Sequence, residues 1–274
     1  MKNLIVAQSG GPTAAINATL AGVIKEWLGK NDRAKVYGSR FGVEGILNEN
    51  IIDLTELSED DLDKLMRTPA SALGSCRYRL SDPKEDETDF KRVVEVFRKY
   101  EIGYFVYIGG NDSMDTVHRL SEYFAENGIT DISVNGAPKT IDNDLCGIDN
   151  CPGFGSAAKY IAAVCSELAR EVKVYDKENI LIVEIMGRHA GWLTAAAALA
   201  AENNKEVPYL IYLSEVKLSV DKFVADLKEA MKKSKNVIVA LSEGVMIETE
   251  SGMHHGSEDE VDAFGHKQMA GNGR

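Results

Sequence analysis

The chain is predicted to be α/β, and three observations carry that expectation. Short apolar runs recur at Leu4–Ala7, Tyr104–Ile108 and Val237–Leu241 without polar alternation, as expected of strands covered on both sheet faces. Between such runs lie stretches whose apolar residues repeat with the helical period. Glycine pairs stand at strand ends, in Ser9-Gly10-Gly11 and Gly109-Gly110. Strands alternating with helices imply parallel sheets with helices on both faces. The 274 residues suffice for one large or two modest domains.

The elements follow in order. Leu4–Ala7 is a strand feeding the Ser9–Gly11 turn. From Thr13 to Leu28 the residues Ile16, Leu20, Val23, Ile24 and Trp27 share one helix face. Ala34–Tyr37 is a short strand ending at Gly38. Glu85–Tyr100 is an amphipathic helix through Phe90, Val93, Val94 and Phe97. Tyr104–Ile108 is a strand, Ser113–Glu126 its helix, and Ile132–Val134 a further strand. Then come a long helix at Gly155–Val172, a strand at Ile180–Ile185 and an Ala-rich helix at Ala190–Glu202. Tyr209–Leu213 is a strand, Val220–Lys233 a helix and Val237–Leu241 a strand. Beyond about Met253 the chain is polar and glycine-rich, with no predicted element.

Composition removes several classes of function. Acidic residues number 43 against 31 basic, a net charge of −12, which argues against a nucleic-acid partner. Cys76, Cys146, Cys151 and Cys165 lack CxxC spacing and are expected to be reduced intracellular thiols. No apolar run approaches the roughly 20 residues of a membrane span. A strand follows Met1-Lys2-Asn3 at once, so no targeting segment is expected before the fold, and the expected location is cytoplasmic.

The stretch from Tyr104 to Asp115 is the most informative. It reads as a buried strand, a Gly-Gly turn and a helix opening on Asp112-Ser113. Such a turn cradles phosphate, because free backbone N–H groups and the positive helix end point outward together. Yet Asp112 places a carboxylate there. A carboxylate beside a phosphate chain is repulsive unless a divalent metal lies between them. The alternative is that Asp112 merely caps the helix.

Four motifs lie at strand ends: Ser9-Gly-Gly-Pro-Thr-Ala-Ala-Ile-Asn17, Gly109-Gly-Asn-Asp-Ser113, Pro138-Lys-Thr-Ile-Asp-Asn-Asp144 and Met186-Gly-Arg-His-Ala-Gly191. In open α/β sheets, ligands bind at the carboxyl ends of strands. This set, in this order, resembles 6-phosphofructokinase over essentially the whole chain, and Leu241-Ser-Glu-Gly-Val245 and Gly265-His266 extend the likeness. The resemblance implies two similar Rossmann-like three-layer domains with mostly parallel sheets. Residues 1–153 would bind the phosphoryl donor, with a return to that domain near 266–274, and residues 154–265 would bind the sugar phosphate.

The resemblance also implies site residues. Gly11, Gly110, Asp112 and Ser113 would bind the donor, and Arg77 would meet the transferred phosphoryl group. Diphosphate-dependent members typically carry Asp and Lys at the positions of Asp112 and Lys139, where ATP-dependent members carry glycine. ATP needs room for its α-phosphate and sugar, which Asp112 fills with negative charge, while Lys139 supplies a cation to a small donor. Asp142 matches the general base that takes the proton from the sugar 1-hydroxyl; read alone, it would be a turn Asp. Thr140 and Asp144 would orient substrate and metal. Met186, Gly187 and Arg188 match sugar-phosphate contacts, Glu215 a carboxylate holding sugar hydroxyls, and His266 a histidine near the 6-phosphate. Glu243 is expected to be structural. Mg²⁺ is the implied cofactor, held by Asp112 and Asn111, where many members have Asp in place of Asn111.

The sequence also departs from the family pattern. Asn179 and Met269 stand where many ATP-dependent members place arginines, and Ser214 replaces the usual proline. The resemblance implies a chain that continues past Arg274, so a C-terminally truncated form is expected. The activity expected is reversible transfer from diphosphate to fructose 6-phosphate, in glycolysis or gluconeogenesis, by a homodimer or homotetramer. An ATP-dependent 6-phosphofructokinase and a catalytically silent sugar-phosphate-binding subunit are the alternatives. A dinucleotide dehydrogenase is disfavoured, because Gly10-Gly-Pro-Thr-Ala-Ala stands where Gly-x-Gly-x-x-Gly would be required.

Overall fold

The computed structural model describes residues 2–31, 33–203, 205, 209–249 and 252–254. The chain divides into two compact units, Met1–Thr140 and Ile141–Arg274. The expected elements are present, and both units are α/β with mostly parallel sheets.

In the first unit the strands are β1 (Asn3–Gln8), β2 (Val36–Ser39), β3 (Ile51–Asp53), β4 (Ile102–Gly109) and β5 (Ser133–Pro138). The helices are α1 (Ile16–Lys30), α2 (Gly42–Leu47), α3 (Glu59–Arg67), α4 (Thr88–Lys99) and α5 (Asn111–Glu126). The sheet runs β3-β2-β1-β4-β5, and only β3 is antiparallel. Successive residues of β1 point to opposite faces. Leu4 and Val6 therefore pack with Ile16, Leu20 and Ile24 of α1. Ile5 and Ala7 pack with Phe105 and Tyr107 of β4 and with Phe90, Val93 and Phe97 of α4. Each large apolar side chain buried this way contributes about 1.5–3 kcal/mol. Both faces are covered, which is why β1 and β4 read as unbroken apolar runs.

This strand order fixes where a ligand can sit. From β1 the chain steps to β2 on one side, and β4 lies on the other. The direction of winding therefore reverses between β1 and β4. Crevices open at such a reversal, outside the carboxyl ends of the strands. The turns that follow β1 and β4 are the two glycine turns, and Lys139 follows β5 beside them.

In the second unit α6 (Phe154–Glu171) leads to β6 (Asn179–Ile185). Then come α7 (Trp192–Ala195), α8 (Ala197–Asn203), β7 (Tyr209–Tyr212), β8 (Leu218–Ser219), α9 (Val220–Met231) and β9 (Asn236–Ser242), followed by β10 (Ile247–Thr249) and β11 (Gly252–His254). One parallel sheet runs β6-β9-β7, and a smaller one β11-β10-β8. Ala240 faces α6, α7 and α8, while Val237 and Val239 face α9. Residues 141–153 belong to this unit: Ile141 packs with Phe154, Ala157 and Ile161.

The helix predicted over Ala190–Glu202 is interrupted at Ala196. Its N–H bonds both Trp192 O (3.2 Å) and Leu193 O (3.1 Å), and Leu199 N–H bonds Ala196 O, three residues back (3.1 Å). The turn tightens toward the three-residue spacing and splits the helix into α7 and α8.

Candidate active site

The residues expected to bind the donor lie in the first unit. After β1 the chain turns at Gly10, whose φ of +76° is a left-handed conformation natural to glycine. Gly11 is exposed, and a Cβ added there would meet nothing within 4 Å. Lys139 is 5% exposed. Its ammonium donates to Gly11 O and lies 3.0 Å from where a Cβ on Gly10 would sit and 3.9 Å from one on Gly110. A buried cation therefore sits between the two glycine turns.

Gly110 is the N-cap of α5 and contributes no side-chain cap. Asp112 is thus not the cap residue; its carboxylate is exposed in the first turn, where the helix end favours negative charge. Asn111 is exposed beside it. Ser113 is buried, and its Oγ stands 2.0 Å from the place a Cβ on Gly109 would take. It packs beneath the turn. Arg77 and Arg79 are exposed and alternate with buried Cys76 and Leu80.

A two-ligand set of Asp112 and Asn111 suits Mg²⁺ carried on a phosphate. That ion takes one or two protein oxygens and completes its shell with substrate and water. Among the described residues no group of three or more His, Cys, Asp and Glu side chains forms a metal cage.

A second group of candidate residues lies at the strand ends of the second unit. Asp142 is half-buried and Asp144 exposed. Between them Asn143 is buried with φ +59°. Its Nδ2 donates to Asp149 O (3.1 Å) and its Oδ1 accepts from Cys151 N–H (2.8 Å). This fixes the direction in which the two carboxylates leave the turn. Burial raises the pKa of Asp142 first, and the negative charges of Asp144 and Glu243 add to it. Arg188 and His189 pull the other way without overcoming them.

The Met186–Gly191 turn follows β6 and is clamped from three sides. Gly187 has φ +128°, its N–H donates to Glu243 Oε1 (3.1 Å), and its carbonyl accepts from Ser242 Oγ (2.6 Å). A Cβ on Gly244 would fall 1.9 Å from Arg188 O, so the two backbones touch. Gly191 N–H donates to Glu215 Oε1 (2.8 Å), and Ser214 Oγ donates to Glu215 Oε2 (3.1 Å). Burial pushes the Glu215 pKa up, but the Gly191 N–H and its other hydrogen bonds outweigh that, and the net shift is downward. Met186 is exposed.

The expected donor residues thus gather in the first unit, and Asp142, Asp144, Met186–Arg188 and Glu215 in the second. Thr140 ends the first unit. His266 lies outside the described residues. Two side chains acquire a place that the sequence did not give them. Glu243 was expected to be structural; it holds Gly187 and also acts on Asp142. His189 bears on Asp142 through its position beside Arg188 in the same turn.

The family model described as Phosphofructokinase matches residues 3–273. The pyrophosphate–fructose 6-phosphate 1-phosphotransferase of Halomonas elongata is 40% identical over 272 residues, covering 98% of this chain and 64% of that protein. A crystal structure of pyrophosphate-dependent phosphofructokinase from Nitrosospira multiformis matches with a TM-score of 0.83 at 39% identity, covering 92% of this chain and 62% of that one. The ATP-dependent 6-phosphofructokinase of Clostridioides difficile is 32% identical over 276 residues, covering 99% of this chain and 80% of that protein. The chain therefore spans somewhat less than two thirds of the first two relatives. Glycine turns at the β1/β4 reversal, the Pro138–Asp144 motif and a family match over residues 3–273 converge on one conclusion: the chain belongs to the phosphofructokinase family.

Proposed function

We propose that the chain carries the phosphoryl-transfer machinery of a diphosphate–fructose-6-phosphate 1-phosphotransferase. The observation that carries this reading is the buried Lys139 ammonium between the glycine turns, with Asp112 on the first turn of α5. A cation there serves a compact, highly charged donor. A carboxylate there opposes the longer phosphate chain of a nucleotide. The names of the Halomonas elongata and Nitrosospira multiformis relatives support the same donor.

In this reading the first unit is a donor-binding domain and the second a sugar-phosphate domain, each a Rossmann-like three-layer body. Gly11 and Gly110 offer backbone N–H groups to the diphosphate, Lys139 neutralises it, and Arg77 meets the transferred phosphoryl group. Asp112 and Asn111 would hold Mg²⁺, which supplies positive charge to the diphosphate oxygens. Met186, Gly187, Arg188, Glu215 and His266 would hold fructose 6-phosphate, oriented by Thr140 and Asp144. The sugar 1-oxygen forms a bond to one phosphorus as the bridging P–O bond breaks. Phosphate leaves, and the hydroxyl proton passes to Asp142. The raised pKa of Asp142 suits it to accept that proton. Phosphoryl transfer otherwise asks for positioning and charge neutralisation, which the clamped turns provide.

The products are fructose 1,6-bisphosphate and phosphate, and the reaction runs in either direction. A homodimer or homotetramer in the cytoplasm is the proposed working form; no described helix is long and apolar enough to cross a membrane. The second reading is an ATP-dependent enzyme, favoured by the name of the Clostridioides difficile relative. One assay separates the two: fructose 6-phosphate and Mg²⁺ with diphosphate or with ATP. Comparable kcat/KM for both donors refutes the donor assignment.

A further inference from the structure

Gln8 ends β1 and Asn17 is the second residue of α1; they are 0% and 1% exposed. Their side-chain amides lie against each other, with Gln8 Nε2 donating to Asn17 Oδ1 at 3.0 Å. Every remaining polar atom of the pair is also used. Gln8 Nε2 donates to Ile16 O (3.1 Å), and Gln8 Oε1 accepts from Leu73 N–H (2.8 Å) and lies 2.9 Å from Ser71 Oγ. Asn17 Nδ2 donates to Thr68 O (2.9 Å), and its Oδ1 accepts from Ala72 N–H (2.9 Å). Three of these partners are backbone groups of the 68–73 segment, which precedes Arg77.

That segment is tied to the glycine turn as well. Ser75 Oγ donates to Gly10 O (2.8 Å), and Ser9 Oγ donates to Cys76 O (3.2 Å). The ties between the 68–76 loop and the end of β1 run through side chains. Apolar packing alone is non-directional and would let such a loop slide. Paired amides are directional, each fixing a donor and an acceptor at once. Buried away from water, a fully satisfied pair specifies one register.

We infer that Gln8 and Asn17 are positioning residues that set the spacing between the Gly10–Gly11 turn and Arg77. They hold the backbone donors that would receive the diphosphate in register with the guanidinium that would meet the group being transferred. This rests on the proposed donor site. The amides touch neither donor nor sugar; they act through the loop and the turn.

The test is calorimetric titration of the 274-residue chain with inorganic diphosphate and Mg²⁺. Gln8→Met keeps the volume and removes all the Gln8 side-chain hydrogen bonds. Val93→Ala, in the core on the other face of the sheet, is the control for mere loss of stability. The expected result is a loss of at least ten-fold in diphosphate affinity for Gln8→Met and less than two-fold for Val93→Ala, with both folded at the titration temperature. Equal losses in the two variants, or an unchanged affinity in Gln8→Met, overturn the inference. Should Gln8→Met fail to fold, Ser71→Ala removes only the hydroxyl beside Gln8 Oε1 and Gly74 O. A several-fold loss of diphosphate affinity is expected there, and none overturns the inference. Failure of the unaltered chain to bind diphosphate overturns the donor site and the inference together. Binding by the unaltered chain and by every variant alike overturns the inference alone.

Discussion

Gly11→Ala separates binding from folding at the turn proposed for the donor. An added Cβ meets nothing within 4 Å, and Gly11 is not among the glycines with positive φ. Alanine therefore fits without strain. Removing a glycine also reduces the freedom of the unfolded chain, so stability should rise by about 0.4–1 kcal/mol. The open space is the space proposed for the diphosphate. A methyl there keeps a phosphate oxygen from approaching the backbone, and each charged hydrogen bond lost costs about 1.5–3 kcal/mol. One such loss corresponds to a fall in affinity of about ten- to a hundred-fold. Gly10→Ala would not discriminate, because its φ of +76° and the Lys139 ammonium 3.0 Å away would disturb fold and site together. The assay is thermal unfolding together with calorimetric titration of diphosphate and Mg²⁺. A stabilised Gly11→Ala chain with unchanged diphosphate affinity would show that the donor does not lie over this turn.

Asp142→Asn should lower kcat by about 10²–10⁴-fold, the scale of a lost general base. It should also raise Tm at pH 7: the folded-state pKa of Asp142 is raised, so the stability gained by protonation holds below the unfolded carboxyl range and is lost as pH rises through the raised value. A near-unchanged kcat refutes the assignment. Glu243→Gln keeps an acceptor for Gly187 N–H but removes one charge that raises Asp142, so the acid limb of the pH–rate profile should move to lower pH; an unmoved limb would separate Glu243 from the base. Asp112→Gly with Lys139→Gly should improve kcat/KM for ATP and weaken diphosphate use, and no change in the ratio of the two would show that these residues do not select the donor.

What the sequence made legible was local. β1 and β4 were readable because apolar clusters cover both sheet faces, leaving an unbroken apolar run. The edge strand β3 was not, since it is three residues long with Ile52 and Asp53 exposed. Helix α3 buries only Leu62, so periodicity missed it, although the capping box of Ser58 and Asp61 was present to mark its start. The glycine turns were visible because turn chemistry is written in adjacent residues. The supports of the site were hidden because their partners are distant: Gln8 meets Leu73, and Glu243 meets Gly187. Neither link leaves a trace in a window of neighbouring residues.

The carboxylates of the second unit divide by environment, and that division argues for their roles. Where surroundings push two titratable groups in opposite directions, the group with the raised pKa is the better proton acceptor near neutrality. Asp142 is pushed up by burial and by Asp144 and Glu243. Glu215 ends below its ordinary value because Gly191 N–H and Ser214 Oγ hold its charged form. Each Glu215 oxygen therefore already accepts one hydrogen bond, and its charge is committed to fixing the end of the Met186–Gly191 turn. A Cβ on Gly191 would come within 2.7 Å of Glu215 Oε2 and 2.9 Å of Leu213 Cβ, so a larger residue there would displace Glu215. Glu243 shares the surroundings of Asp142 while gripping the other end of the same turn at Gly187. The turn bearing Arg188 is thus held at both ends by carboxylates, while the raised pKa of Asp142 suits the proposed role of proton acceptor.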